Sequence, residues 1–482
     1  MNFERQKYVF SHLAHHLVLS PELSETIITV PSENFDEFET GSPRIFFLLS
    51  QQAIDHNNIF AIENIPVLYP NNEEKYWYSF EGKNLVFNHD ILKSVFYLLS
   101  GEQEYKNEHL DFLGRFTYMN SIQKKLRIIH RPVVNYYFSI ILQGMEEFCK
   151  LNKINFERRL LFSSPQFFLS HDIDRVDKYH ILEVIHKYME LLGLKKTVYS
   201  KGTLLKLCFS YTFNFINLFK PSNPFWNFKF LRESERRRKL RSTWYFLEKE
   251  GRHTNSRYRF NEPRIRKLMD YLNDGESEIG LHGTVQSAHD QKFLNKTLLS
   301  LSGVSPQEIT GIRQHKLIYS IPETALIHQN AGLKYDSTLT FPAHAGFRNS
   351  YCHPFKLYDF ENEKMIDIWQ IPLTVMDGTL FQYQKLSFNE AREAIQNLLK
   401  QVKKFNGIFS LLWHNSFFDE VKHPGITEFY ESLLDLMAES DFQSSTGHEI
   451  YQMIEETELQ PILVEEKQSS PGISYHTLYM AG

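Results

Sequence analysis

From residue 165 onward the chain alternates short apolar runs with polar clusters. "QFFLSHDID", "STWYFLEKEG", "SEIGLHGT", "ITGIRQH", "LKYDSTLT", "IDIWQIPLTV" and "GIFSLLWHN" follow one another, most of them ending in polar residues. Uninterrupted apolar runs of this length suit strands covered on both faces, as in a parallel sheet. Between several of them lie helical patterns, "PRIRKLMDYLNDG" and "LSFNEAREAIQNLLKQVKKF" among them. Strand and helix in alternation predict βα units. Seven such runs predict a barrel-like closure with its chemistry at the C-terminal strand ends, where the polar clusters sit.

The first 155 residues follow a different pattern and predict a smaller α/β module. "RIFFLL", "NIFAI" and "IPVLYP" read as short strands, and "RPVVNYYFSIILQGMEEFCKLNK" as a long amphipathic helix. No concentrated set of catalytic residue types appears there. The expected division is therefore a module over 1–155, a barrel over 160–455 and a C-terminal tail over 456–482. An insertion at 178–240 breaks the barrel rhythm with "FSYTFNFINLFKPSNPFWNFKF" followed by "RESERRRKLRS". Two readings of it stay open. The aromatic and basic stretch over 205–242 docks on a membrane surface or a lipid-linked substrate, or the insertion is a helical excursion with a solvated basic face.

Composition narrows the classes. A length of 482 residues suits two domains. A net charge of -5 gives no global basic footprint, which argues against a nucleic-acid partner. The 3 cysteines, Cys149, Cys208 and Cys352, are odd in number and far apart, so neither a disulfide framework nor a Cys-rich metal site is indicated. The N-terminal "MNFERQKYVFSHLAHHL" has no apolar signal core. No apolar run reaches the roughly 18 residues that span a bilayer. A cytoplasmic protein is expected.

The strand ends carry the candidate chemistry. Asp172 and Asp174 lie two residues apart, on one face of an extended chain. Two close carboxylates share a proton or a cation, so one can hold a metal while the other acts as a base; an Asp-x-Asp turn or helix cap is the plainer alternative. His171 points to the other face and reads as structural. His282 ends the third run as a metal ligand or a structural histidine, followed by Thr284, Gln286 and His289. Arg313 and His315 end the fourth, where an arginine can pair with an aspartate or make a surface salt bridge. Tyr335 and Asp336 in "LKYDSTLT" are candidate substrate contacts. His414 ends the last run as a proton donor, and Trp413 beside it offers a sugar-stacking face or core packing.

In order and context these residues resemble the polysaccharide deacetylase family, the NodB-homology superfamily of metal-dependent carbohydrate esterases. The resemblance covers roughly 165 to 455, about three-fifths of the chain. It implies a distorted (β/α)7 barrel of the NodB-homology type, preceded by a smaller N-terminal α/β module. "SHDID" looks like the family's acid pair, which makes Asp172 the general base and Asp174 a metal ligand. "STWYFL" looks like its second strand, and "EIGLHGT" like the His-Ser/Thr motif, with His282 as ligand. "GIRQH" stands at the Arg-x-Pro motif, so Arg313 would orient the base. "SLLWHN" looks like the last motif, with His414 as general acid. "GIRQHKL", "YDSTLTFPAHAGFRNSYCHPFKLYD" and "IPLTVMDGTL" look like a bacterial subgroup with its own N-terminal module, associated with surface polysaccharide synthesis.

The departure from the family pattern is Gln286, four residues after His282, where a second histidine usually binds the metal. His289 or His315 would complete the set, with His315 favoured because it ends a strand. The resemblance implies a divalent metal, Zn in the first place, and an acetylated carbohydrate substrate with the acetyl on N or O. Two other functions stay open: a non-catalytic carbohydrate-binding protein on a degenerate scaffold, motivated by Gln286, and an allantoinase-like hydrolase of a cyclic amide.

Overall fold

Two sheets organise the chain in the computed structural model, which describes residues 1–37, 41–55, 59–197, 199–216, 223–249, 255–457, 462–468 and 474–480. The first sheet is built largely from N-terminal residues. Its strands β1 (Ile27–Pro31), β2 (Ile45–Leu49) and β4 (Asn84–Phe87) run parallel side by side, with β3 (Tyr78–Glu81) antiparallel at one edge. "RIFFLL" thus supplies β2, whereas "NIFAI" and "IPVLYP" form a separate small hairpin, Phe60–Ile62 with Ile65–Val67. The long helix expected after them is α1 (Val133–Asn152). Its apolar stripe, Val134, Tyr137, Phe138, Ile141 and Met145, is buried at three- and four-residue spacing.

The second sheet takes in all seven apolar runs. Strands β5 (Gln166–Ile173), β6 (Ser242–Leu247), β7 (Ser277–Gly283), β8 (Gly311–Gln314) and β9 (Tyr335–Asp336) pair in sequence order, each parallel to the next. Beyond β9, strand β10 (Phe355–Asp359) pairs antiparallel with β11 (Lys364–Gln370). Strand β13 (Ile408–Leu412) lies parallel to β5 on its other side. The segment 364–376 links the two flanks. Its first half, β11, pairs with β9, and its last residues, β12 (Val375–Met376), pair with β13. The intervening segment stays bonded to both neighbours, its Ile371 N–H donating to Asp336 O and its Thr374 side-chain Oγ1 accepting from the Ser410 N–H. The parallel sheet therefore curls, and the C-terminal ends of β5, β7, β8 and β13 face one rim.

Between β5 and β6 the insertion is helical: α2 (Ile181–Leu191), α3 (Lys201–Ile216) and α4 (Phe228–Arg237). Part of the expected aromatic stretch, 217–222, lies outside the described residues. The two helical patterns read from the sequence are α5 (Pro263–Leu272) and α6 (Phe388–Phe405). α6 starts on a capping box, in which Ser387 accepts from the Glu390 N–H while the Glu390 side chain accepts from the Ser387 N–H. The C-terminal tail returns to the first module: β14 (Ile462–Gln468) and β15 (Ser474–Met480) form a hairpin, and β15 pairs with β1. No described helix is long and apolar enough to cross a membrane.

The N-terminal residues and the curled sheet share a buried junction. Arg348 sits on Glu104, with Nε donating to Oε1 at 2.9 Å and Nη2 to Oε2 at 2.5 Å, both side chains nearly inaccessible. Arg348 Nη1 also donates to Thr340 O at 2.8 Å. Removing one partner from such a pair strands the other charge in a dry site. Glu104→Ala is expected to cost about 3–5 kcal/mol of stability, read as a lower midpoint in urea unfolding. An unchanged midpoint would show that the junction does not hold the fold together.

Candidate active site

The sheet register sets the site. His282 on β7 lies opposite Arg313 on β8, and Asp172 is the penultimate residue of β5. Asp174, His315 and His414 follow within two residues of the ends of β5, β8 and β13. Parallel neighbours end at one rim, so residues far apart in sequence arrive together.

Three of these side chains converge. Asp174 Oδ1 lies 3.2 Å from His282 Nε2 and 3.2 Å from His315 Nδ1. The two nitrogens are 3.3 Å apart. The three form a potential metal-binding group, with their ligand atoms all within 4.8 Å of one another. Ligand atoms held about 2.0–2.2 Å from a tetrahedral centre lie roughly 3.3–3.6 Å apart, so the observed triangle fits one small cation. Two further observations agree. Asp174 Oδ1 is buried yet accepts no aligned hydrogen bond, an orphan that a cation would satisfy. His282 Nδ1 lies 2.8 Å from Arg313 O; a carbonyl only accepts, so the proton sits on Nδ1 and the Nε2 lone pair faces the triangle. His315 is delivered by a turn in which Lys316 and Leu317 adopt positive φ values of 59° and 55°. Arg115, some two hundred residues earlier in the chain, donates to Lys316 O at 2.6 Å and holds that turn.

The remaining groups surround this triangle. Arg313 Nη1 donates to Asp172 Oδ1 at 3.1 Å and to Ser170 Oγ at 2.8 Å, and its guanidinium carbon lies 4.6 Å from the Tyr245 ring centroid. Asp172 Oδ2 lies 3.6 Å from His282 Nε2 and 4.0 Å from His414 Nε2. His414 is backed by Asp377: Nδ1–H donates to Oδ1 at 2.8 Å, and the His414 backbone N–H donates to Oδ2 at 2.6 Å. Burial alone would lower the His414 pKa, but Asp377, with Asp174 and Asp172 nearby, lifts it to about 10. Burial would raise the Asp174 carboxyl, and the adjacent His315 and His282 instead hold it well below the usual range. Burial opposes charge on His282 too, and Asp172 and Asp174 outweigh it and raise its pKa; on His315 burial wins and lowers it.

Asp172, Asp174, His282, Arg313, His315 and His414 therefore come together. The three expected substrate contacts do not join them. Trp413 is fully buried, packed by Phe417, Phe418 and Tyr430, so its ring has no free face. Tyr335 is fully buried too and donates to Glu278 at 2.7 Å. Its ring fills space left by Gly311 and Gly447, where a Cβ would come within 2.0 and 2.2 Å of it. Asp336 is fully buried and satisfied by His328 Nδ1 at 2.5 Å and the Thr338 N–H at 2.6 Å. These are core contacts, which leave nothing for a substrate. Gln286 is turned to Asn255, its Oε1 accepting at 3.1 Å, and His289 is exposed. His171 sits behind the acid pair between Trp413 O and Glu235. Asp377 escaped the sequence reading. Its only signal was an acid at the end of the apolar run "IPLTVM", and nothing local tied that acid to His414.

Among known proteins, a family of unknown function, DUF7033, matches residues 1–150. No curated protein matches the chain. Among solved structures, proteins described as polysaccharide deacetylases from Mycobacterium smegmatis and Pseudomonas aeruginosa PAO1 share 13% and 12% identity. They cover 62% and 61% of this chain and 93% and 90% of their own, with TM-scores of 0.40 and 0.39. The PuuE allantoinase shares 11% identity over 61% of this chain and 92% of its own, with a TM-score of 0.38. At such scores none bears on the chemistry, which rests on the atoms of the site.

The triangle makes a direct prediction. Asp174→Ala and His315→Ala are each expected to lower metal content at least about tenfold, since each removes a ligand, read by elemental analysis of protein purified without chelator and loaded with Zn²⁺. Gln286→Ala is expected to leave it unchanged. A large loss in Gln286→Ala alone would relocate the centre.

Proposed function

We propose that the protein is a metal-dependent hydrolase that removes an N- or O-linked acetyl group from a sugar of a surface polysaccharide or its precursor, working in the cytoplasm. The observation that carries this reading is the junction of a cation-sized triangle, Asp174–His282–His315, with two separately held proton carriers, Asp172 and His414. The finer fold reading, a distorted (β/α)7 barrel, is supported by the segment 364–376, which pairs with both flanks of the parallel sheet.

Asp174, His282 and His315 would hold the cation. A divalent ion there supplies Lewis-acid polarisation and makes water more acidic. Asp172 faces the triangle with one oxygen, while its other oxygen is held by Arg313, so it is placed to take a proton from attacking water. His414 approaches from the neighbouring strand end, that of β13, with Nε2 toward both acids and its Nδ1–H engaged by Asp377. That fixes the ring and leaves Nε2 to give a proton to the departing amine or alcohol. The acid pair thus divides its work: Asp174 binds and Asp172 moves protons.

Asp172→Asn keeps the shape and the Arg313 contact but removes the base. Its kcat for acetate release from N- and O-acetylated oligosaccharides is expected to fall by roughly 10²–10⁴-fold, with unchanged urea unfolding and metal content. A variant that keeps most of the wild-type rate would remove Asp172 from this role. Oligosaccharide binding without acetate release by the wild type would make the chain a binding protein instead.

A further inference from the structure

The insertion presents an apolar surface that nothing among the described residues covers. Helix α3 has two apolar faces. One, with Leu204, Cys208 and Tyr211, is buried. The other, with Leu205, Phe209, Phe213 and Ile216, points outward, and Phe209 and Phe213 are 73% and 57% exposed. Its partner α2 adds Ile185 and Tyr188, 45% and 42% exposed. Contiguous apolar surface of this kind on a protein marks a contact site.

Charge identifies what the surface contacts. The hairpin 181–216 contains two acids, Glu183 and Glu190. Both are neutralised, Glu183 by Arg257 at 2.7 Å and Glu190 by Lys187 at 2.8 Å. Lys195, Lys196, Lys201 and Lys206 are exposed and have no ion pair among the described residues. The arginine-rich run that follows differs. Arg232, Arg236, Arg237, Arg238 and Arg241 are matched by Asp274, Glu276, Glu431, Asp435 and Glu449 of the same chain. In that run only Lys239 is exposed without an ion pair among the described residues, so most of the free positive charge sits on the apolar hairpin. Apolar side chains beside unpaired lysines fit the interface of an anionic bilayer, with the rings in the acyl boundary and the ammonium groups at the headgroups.

We propose that α2 and α3 dock the protein on an anionic lipid bilayer. The base of the hairpin is tied to the rim of the site. Lys178 pairs with Asp419 at 2.8 Å, just beyond β13, and Arg257, the partner of Glu183, lies beyond β6. Docking would thus place the site's rim beside the lipid surface, within reach of a substrate carried on a lipid. The docking itself stands independently of the hydrolase reading.

Vesicle co-sedimentation of the full chain tests this, with phosphatidylcholine vesicles that contain or lack phosphatidylglycerol. Wild type is expected to sediment with the anionic vesicles only, and less as salt rises. Lys195→Gln with Lys196→Gln is expected to bind about 30-fold more weakly. Phe209→Ser with Phe213→Ser, both exposed, should lose binding while keeping the wild-type thermal melt and metal content. Equal binding to both vesicle types, no binding, or wild-type binding by the phenylalanine variant would each overturn the proposal. So would a concentration-dependent dimer, dissolved by the phenylalanine variant, in a protein that ignores vesicles.

Discussion

Two carboxylates at the end of a buried strand cannot stand alone. Taking an ionised carboxylate out of water costs several kcal/mol unless opposite charge and hydrogen bonds replace its hydration. Asp172 and Asp174 lie at the end of β5, Asp172 almost inaccessible, and the rim of the curled sheet is arranged around them. Arg313 meets one acid, His282 and His315 meet the other, and His414 faces both. For Asp172 this compensation is made within the fold by Arg313, whereas Asp174 Oδ1 accepts no aligned hydrogen bond, and a cation shared with the two imidazoles would supply the missing positive charge.

Compensation depends in turn on the support of each partner. His282 is oriented by the Arg313 carbonyl, so one residue serves the base with its side chain and a ligand with its backbone. His414 is held by Asp377, which can reach it because β12 and β13 pair and end together. His315 depends on a left-handed turn whose carbonyl is held by Arg115. Residues before 155 thus help to shape the site through Arg115, and the buried Glu104–Arg348 pair ties the same stretch to the curled sheet.

The legible part of the site was what strand ends announce locally. An apolar run that stops at Asp-x-Asp, at His282 or at His414 marks both the strand and the functional face, because side chains there are committed by period and position. Asp377 was not legible for a converse reason: its role exists only through a neighbouring strand that lies more than thirty residues further along the chain. Trp413, Tyr335 and Asp336 show the same limit from the other side. Their residue types suit a sugar, but the Phe417–Tyr430 cluster, two glycines and His328 consume their surfaces. The basic run at 232–241 also looked free in one dimension, and it is matched by acids from α5's C-terminal loop and from helices near the C-terminus.

By itself, the sequence determined the alternation of buried strands and helices, the acid pair and the order of the histidines, since these follow from periodicity and from the chemistry of each side chain. Tertiary structure decided that His315, already favoured by its place at a strand end, lies beside Asp174 and His282 while Gln286 turns to Asn255, that Asp377 backs His414, and which aromatic rings face water. Those outcomes depend on register and on the curling of one sheet, which set distances between residues that local pattern leaves unconnected.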